Sequence, residues 1–163
     1  MGQHSTTAAG ISSTQKMLHW AVVVLLFLQY LFFDGMGRPF DQMLDTGTAS
    51  YPPVVIIHMT IGISVLVLAL WRLSLRHSHG VPAAPAGEPS WAKSLAKLTH
   101  VLIYVMLIAL PLGGLGAWFT GSETLAGMHE AGTNILLALL FLHVGAVLVH
   151  QFVWKTGLLS RMI

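Results

Sequence analysis

The stretch that decides the fold runs from Pro53 to Leu75 and reads PVVIIHMTIGISVLVLALWRLSL. A helix needs about 20 predominantly apolar residues to cross the hydrocarbon of a membrane, and this stretch is long enough. The preceding Pro52 and Pro53 mark a helix start, because proline fits the first helical turn. Its single ionisable residue before Arg72 is His58. The stretch therefore predicts a membrane-spanning helix with an imidazole inside it.

Three further segments have the same apolar character. They run approximately over Met17–Phe33, Leu95–Phe119 and Met128–Trp154, with polar or Pro-, Gly- and Ala-rich segments between them. Pro111 and the glycines after it should kink or loosen the outer third of the third span. We therefore predict an all-α fold, an integral membrane four-helix bundle that forms one domain over residues 1–163.

The composition agrees with a membrane protein and excludes several classes of function. Of the 163 residues, 55% are hydrophobic and only 9% are charged, and the mean hydropathy is +0.73. Cysteine is absent, which excludes disulfides, iron–sulfur clusters and thiolate-bound metals. The net charge of +2 is small and the basic residues are dispersed, so nothing indicates nucleic-acid binding.

The basic residues indicate the orientation of the bundle, because cytoplasmic loops are enriched in lysine and arginine. Lys16 precedes the first span, and Lys155 and Arg161 follow the last one. The connection between the second and third spans is flanked by Arg72, Arg76, Lys93 and Lys97, and only Arg38 lies on the opposite side. Both termini are therefore expected in the cytoplasm. The stretch Met1–Gln15 lacks an apolar core and is expected to be a cytoplasmic tail, not a cleavable signal peptide.

Histidines inside these spans are the main clue to function. An ionisable side chain in a membrane helix is costly, so each one is a functional hypothesis that needs a partner. The candidates are His19, His58, His100, His129, His143 and His150. His129 and His143 are 14 positions apart, which places them within about 40° of one helix face and about 21 Å apart along the axis. One helix thus offers ligands at two depths.

The other spans can be matched to these depths. His58 lies near the outer end of its span, level with His129, and His19 lies in the inner half. Counting residues leaves the partner of His19 open between His143 and His150. Two level pairs of imidazoles are what two bis-histidine haems, one above the other in the bundle, would require.

Several of these residues have other interpretations. A lone histidine near a span end, such as His100, is more often interfacial or hydrogen-bonded than a ligand, and His4, His77 and His79 fall in predicted tails and loops. Arg72, Arg76, Lys93 and Lys97 are best interpreted as topology anchors, with pairing to haem propionates as the alternative. A metal transporter would recruit intramembrane carboxylates, and the spans contain only Glu130, at an outer edge. This absence favours haem, whose iron needs only two axial ligands.

Several segments together resemble the bacterial cytochrome b561 family. They are KMLHW (Lys16–Trp20), IIHMTIGISVLVL (Ile56–Leu68) with the following WRL, HVLIYVMLIALPLGGL (His100–Leu115), HEAGTNI (His129–Ile135) and FLHVGAVLVHQFVWK (Phe141–Lys155). The resemblance extends from Lys16 nearly to the C-terminus. It implies a dihaem cytochrome b of the bacterial inner membrane.

The resemblance also implies roles for individual residues. His19 and His143 would ligate an inner haem b, and His58 and His129 an outer one. His150 would lie near a quinone, where it would hydrogen-bond a quinone oxygen or relay a proton. Relatives of this type oxidise superoxide at the outer face and reduce ubiquinone.

The electron donor stays open at this stage. The outer loops are acidic apart from Arg38, and a negative surface lowers the encounter rate of an anion such as superoxide. An alternative is that the chain is the haem b membrane anchor of a larger dehydrogenase or hydrogenase, which receives electrons from a periplasmic subunit.

Overall fold

The computed structural model of the chain describes residues 11–32, 35–80 and 88–162, with the side chain of His79 left out. His4 and the greater part of the predicted N-terminal tail lie outside these residues. All four predicted spans are confirmed as helices long and apolar enough to cross a membrane. They are α1 (Ser13–Phe32), α3 (Pro53–His79), α4 (Ser90–Thr120) and α5 (Glu123–Leu148).

α1, α4 and α5 begin before the predicted spans because polar residues form their first turns. α3 begins at the predicted residue and continues past Leu75 to His79, and α5 ends at Leu148, before the predicted Trp154. α5 begins at Glu123 instead of near Met128, since Ser122 caps it by accepting a hydrogen bond from the backbone N–H of Leu125 at 3.3 Å. α4 continues through Pro111 to Thr120 as one helix.

The short helix α2 (Gly37–Thr46) was not predicted, since the segment from Asp34 to Tyr51 was expected only to join two spans. It ends at Gly47, whose φ of 67° is left-handed and whose N–H donates to the carbonyl of Met43 at 2.9 Å. The ring centre of Phe40 lies 6.4 Å from that of Trp118, near the end of α4. α2 therefore covers the end of the bundle at which α4 finishes.

The opposite end of the bundle carries both ends of the described chain. Trp20, in the second turn of α1, donates from its indole N–H to the carbonyl of Met162 at 2.9 Å. The rings of Trp91 and Trp154, near the start of α4 and after α5, are 6.1 Å apart. We call this end the terminal side and the other end the α2 side.

Packing within the bundle is uneven. α1 packs against α3, α3 against α4, and α4 against α5, but α1 and α5 do not pack closely along the described chain. The Tyr30 hydroxyl links these two helices by donating to the carbonyl of Thr133 at 2.6 Å. The apolar core consists of Val22, Ile61, Val65, Ala69, Leu107 and Leu136. α1 and α5 are the helices that carry His19 and His143, so these imidazoles face each other across loosely packed helices.

Candidate haem-binding site

The first pair of histidines lies on the α2 side. His58 is in the second turn of α3, and His129 is in the second turn of α5. Their ring centres are 6.1 Å apart, with an angle of 60° between the ring planes. Both side chains are half-buried. The structure thus brings together the two residues that the sequence placed at one level.

The second pair lies closer to the terminal side. The ring centres of His19 on α1 and His143 on α5 are 6.3 Å apart, with an interplanar angle of 71°. Residue counting left His143 and His150 open as partners of His19. In the structure the ring that faces His19 is that of His143, and His150 forms separate contacts with Glu88 and Thr156.

Both separations suit an iron atom held between two imidazoles. A bond from a metal to an imidazole nitrogen is about 2 Å long and the nitrogen is about 1.2 Å from the ring centre, so the centres of two axial ligands are roughly 6 Å apart. A Cβ atom placed on Gly62 or Gly145, close in sequence to His58 and His143, would meet no heavy atom within 4 Å. The two pairs therefore fit bis-histidine haem, with open space beside a ligand at each level.

The orientation of His129 is fixed by its contact with α4. Its Nδ1–H donates to the backbone carbonyl of Leu110 at 2.9 Å, which leaves the lone pair on Nε2 for a metal. A Cβ atom at Gly114 would lie 2.9 Å from Cε1 and 3.0 Å from Nδ1 of this ring. Because Gly114 has no side chain, the imidazole reaches the α4 backbone.

Gln29 on α1 performs the corresponding role for His58. Its side-chain amide lies against Nδ1 of His58, with Nε2 at 2.7 Å, while its buried Oε1 has no hydrogen-bond partner within the described part of the chain. Rotating the amide group of Gln29 by 180° exchanges the positions of Nε2 and Oε1. The carbonyl then accepts Nδ1–H of His58, the buried oxygen gains a partner, and Nε2 of the ring keeps its lone pair for a metal.

The terminal-side pair is part of a larger cluster. Arg72 on α3 donates to Nδ1 of His19 at 2.5 Å, so it is more than a topology anchor. His100 on α4 forms the hydrogen bond expected of it, from Nδ1–H to the carbonyl of Ala96 at 2.6 Å. Its ring centre also lies 5.1 Å from that of His143, a contact that was not predicted.

His150 lies beyond this cluster. It is buried, with 6% exposure, in a π-helical turn over Val149–Val153 that directly follows α5. Its Nε2 is 3.4 Å from a carboxylate oxygen of Glu88, and its Nδ1 is 3.0 Å from the hydroxyl of Thr156. His77, by contrast, is exposed, as expected for a histidine without a site role, but it lies within α3 and not in the predicted loop.

Sequence reasoning did not identify Gln29 and Gly114 as parts of the site, and it interpreted Arg72 first as a topology anchor. For Arg72 a signal was available, since it follows His58 by 14 positions, the spacing that relates His143 to His129. This spacing places Arg72 on the same helix face as His58, at the level of the second histidine pair. Gln29 is an amide within an apolar span, which is a weaker signal.

A membrane bundle of four long helices with two level pairs of histidines has the architecture of a membrane cytochrome b. Residues 10–163 match the family described as prokaryotic cytochrome b561, and the chain belongs to this family. It is therefore a multi-pass bacterial membrane protein and a haem b electron carrier.

Three relatives are similar over nearly the whole chain. Cytochrome b562 of Cereibacter sphaeroides is 33% identical, with 97% of this chain and 98% of the relative covered. Cytochrome b561 homolog 1 of Escherichia coli is 30% identical, with 93% and 96% covered. Probable superoxide oxidase CybB of Yersinia pestis is 26% identical, with 93% and 94% covered.

The contact of Gly114 with His129 generates the first prediction. Gly114→Ala should displace the imidazole and remove most of the haem from the α2 side, which haem content per purified chain measures. Gly113→Ala is the matched control, because a Cβ atom there would meet nothing within 4 Å. Equal haem content in the two variants would contradict the role of Gly114.

Substitutions of Gln29 test its contact with His58. Gln29→Leu removes the acceptor for Nδ1–H, so the ligand becomes a poorer electron donor and the midpoint potential of the α2-side haem should rise. Gln29→Glu should lower the same potential. Redox titration monitored by absorbance measures both. Equal shifts in the same direction for both variants would refute the hydrogen bond as their cause.

Proposed function

We propose that this protein binds two haem b groups and carries electrons across the bacterial inner membrane, from a periplasmic donor to the quinone pool. His58 and His129 are the axial ligands on the α2 side, and His19 and His143 those on the terminal side. The observation that carries the proposal is the spacing of the ring centres, 6.1 Å and 6.3 Å, which is close to that of two imidazoles on one iron at both levels.

Bound haem supplies one-electron redox chemistry at its iron. The protein residues hold and orient the ligands for it. The Leu110 carbonyl accepts Nδ1–H of His129, and the Gln29 carbonyl accepts that of His58 once its amide group is rotated by 180°, so that each imidazole presents Nε2. On the terminal side Arg72 lies against His19, where its guanidinium is also suited to bind a propionate carboxylate. Binding such a carboxylate would release Nδ1 of His19.

The basic residues indicate how the bundle is oriented in the membrane. Seven of the eight lysines and arginines are on the terminal side, which we assign to the cytoplasm. The α2 side then faces the periplasm. Electrons would leave at the terminal side, where quinone reduction consumes protons.

The terminal half of the bundle contains a cavity suited to an amphipathic acceptor such as ubiquinone. Its volume is about 250 Å³, and Arg76, His100 and Tyr104 supply polar groups among apolar walls. Leu73 and Val101 in these walls are exposed on the surface that would face lipid, so the cavity is within reach of a lipid-soluble quinone. His100 links the cavity to His143, the haem ligand that we assign on this side.

Superoxide is the donor that we propose on the α2 side. One relative is named a probable superoxide oxidase, which supports this choice. The local charge opposes it in part, because Asp41, Asp45, Glu123 and Glu130 are the described acidic residues on that side and Arg38 is the described basic one. The alternative, a haem b subunit that receives electrons from a periplasmic partner of a larger dehydrogenase or hydrogenase, avoids this repulsion.

The cofactor assignment predicts a b-type α-band and two haems per chain in the dithionite-reduced protein. His58→Ala should lose the α2-side haem and His143→Ala the terminal-side haem, leaving one in each variant. Pyridine haemochrome analysis against protein concentration gives the numbers. His77→Ala is the control, since its side chain is exposed and should retain both. A colourless wild-type protein would exclude the whole assignment.

The donor assignment predicts that the purified chain in vesicles reduces ubiquinone with electrons from superoxide. Because the α2 side is acidic, raising the ionic strength should screen the repulsion and increase the rate. A superoxide-generating system with and without superoxide dismutase measures this. If reduction of ubiquinone instead requires a copurifying periplasmic protein, the subunit alternative is correct.

A further inference from the structure

A second cavity lies on the α2 side, between the end of α2 and the end of α4. Its volume is about 400 Å³, which is within the usual range for small-molecule sites. Its walls include Met43 and Leu44 of α2, Tyr51 before α3, and Trp118 and Phe119 of α4. Leu44, Tyr51 and Phe119 are exposed, so the cavity opens to the surface. The proposed function does not use it.

The ends of two helices give this cavity a negative electrostatic character. α2 ends at Thr46 and α4 at Thr120. The last carbonyl groups of a helix have no partner within the helix and carry a partial negative charge. Gly47 and Gly121, which directly follow the two helices, are among the lining residues, and the exposed Asp45 is adjacent to them in α2. The cavity therefore disfavours anions and suits a neutral ligand whose O–H groups donate hydrogen bonds.

The side chains of the cavity suit a flat ring with oxygen substituents. Trp118 is 3% exposed, and its ring centre lies 5.8 Å from that of Tyr51. Its indole N–H donates to the Tyr51 hydroxyl at 3.4 Å, and the proton of that hydroxyl has no acceptor among the residues that the structure describes. Tyr51 is thus able to donate to a ligand oxygen. Phe119 adds an apolar rim that is 70% exposed.

The cavity adjoins the histidine pair of the α2 side. Trp118 follows Gly114 by four positions, which is about one helical turn or about 6 Å along α4. Gly114 is the residue at which the ring of His129 meets the α4 backbone. Trp118 therefore connects the wall of the cavity with the helical turn that holds His129. An electron donor bound here would lie near the haem that we propose on this side.

We propose that this cavity binds a small neutral hydroquinone, a second electron donor beside superoxide, in an inference that rests on the proposed function. The hydroquinone O–H groups donate to the helix-end carbonyls, Tyr51 donates to a ring oxygen, and Trp118 packs against the ring. Oxidation to the quinone breaks both O–H bonds and releases two protons to the adjoining water. It also releases two electrons, one for each of the two haem groups of the proposed function. The donor must have a lower reduction potential than the quinone that is reduced on the terminal side.

The first test follows the reduction of the haem-loaded protein by duroquinol, a neutral hydroquinone, without oxygen so that no superoxide forms. Leu44→Trp fills the cavity and should slow the reduction at least about tenfold. Tyr51→Phe removes one hydrogen bond and should raise the duroquinol concentration for the half-maximal rate roughly fivefold, with little change in the maximal rate. Gln42→Trp is the matched control, since Gln42 is exposed on α2 and outside the cavity. Val101→Trp, which narrows the terminal-side cavity, should slow reoxidation by ubiquinone-1 and not reduction by duroquinol.

The second test measures binding without using the haem. The chain contains no cysteine, so Leu44→Cys and Gln42→Cys each introduce a single thiol on α2, at the cavity and away from it. Duroquinone, the oxidised form of the same ring, should slow the labelling of Leu44→Cys by N-ethylmaleimide. The labelling of Gln42→Cys should be unchanged.

Several outcomes would overturn the proposal. Equal protection of both thiols, or protection of neither, would refute the site, and a lipid that fills the cavity would give the latter result. Slower reduction by duroquinol in Val101→Trp than in Leu44→Trp would show that electrons enter at the terminal side instead. A wild-type chain without a haem α-band would exclude the proposed function, while protection of Leu44→Cys is measured independently of haem.

Discussion

A buried imidazole in a lipid-embedded bundle needs a partner for each of its nitrogens, and this constraint underlies the arrangement described above. Each histidine of the α2-side pair is directed by a second residue: Leu110 accepts from His129, and Gln29 adjoins His58. α1 and α5 carry the facing rings of His19 and His143 and pack loosely, whereas α4 and α5 pack closely where Gly114 admits the ring of His129. Histidines therefore lie both at the loosest and at the closest contacts of α5.

The two ends of the bundle differ in their chemistry. On the α2 side neutral groups, a backbone carbonyl and an amide, accompany the histidine pair. On the terminal side Arg72 and a third imidazole, that of His100, adjoin the pair. A cation near a haem favours its reduced state, which carries one positive charge less. Electrons would then move toward the terminal side, in the direction that quinone reduction requires.

Much of the fold could be predicted from apolar length alone, because a membrane allows few alternatives to a helix for the 23 residues from Pro53 to Leu75. The level of each histidine followed from the alternating direction of the spans. What could not be predicted depends on side-chain direction between helices. The approach of Gly114 to His129 and of Gln29 to His58 requires knowing how the helices are rotated. The helix α2 was missed because its ten residues are too short and too polar on average for a membrane span, although their pattern is amphipathic.

One feature of α5 affects the energetics of the whole protein. This single helix carries one histidine of each pair, His129 and His143, about four turns apart, and in the proposed function it would supply an axial ligand at both levels. Rotation or axial sliding of α5 would move the two rings together, so neither level can adjust its coordination independently of the other. Occupancy at one level should consequently restrict α5 and favour occupancy at the second, which makes cofactor loading cooperative through the rigidity of a helix.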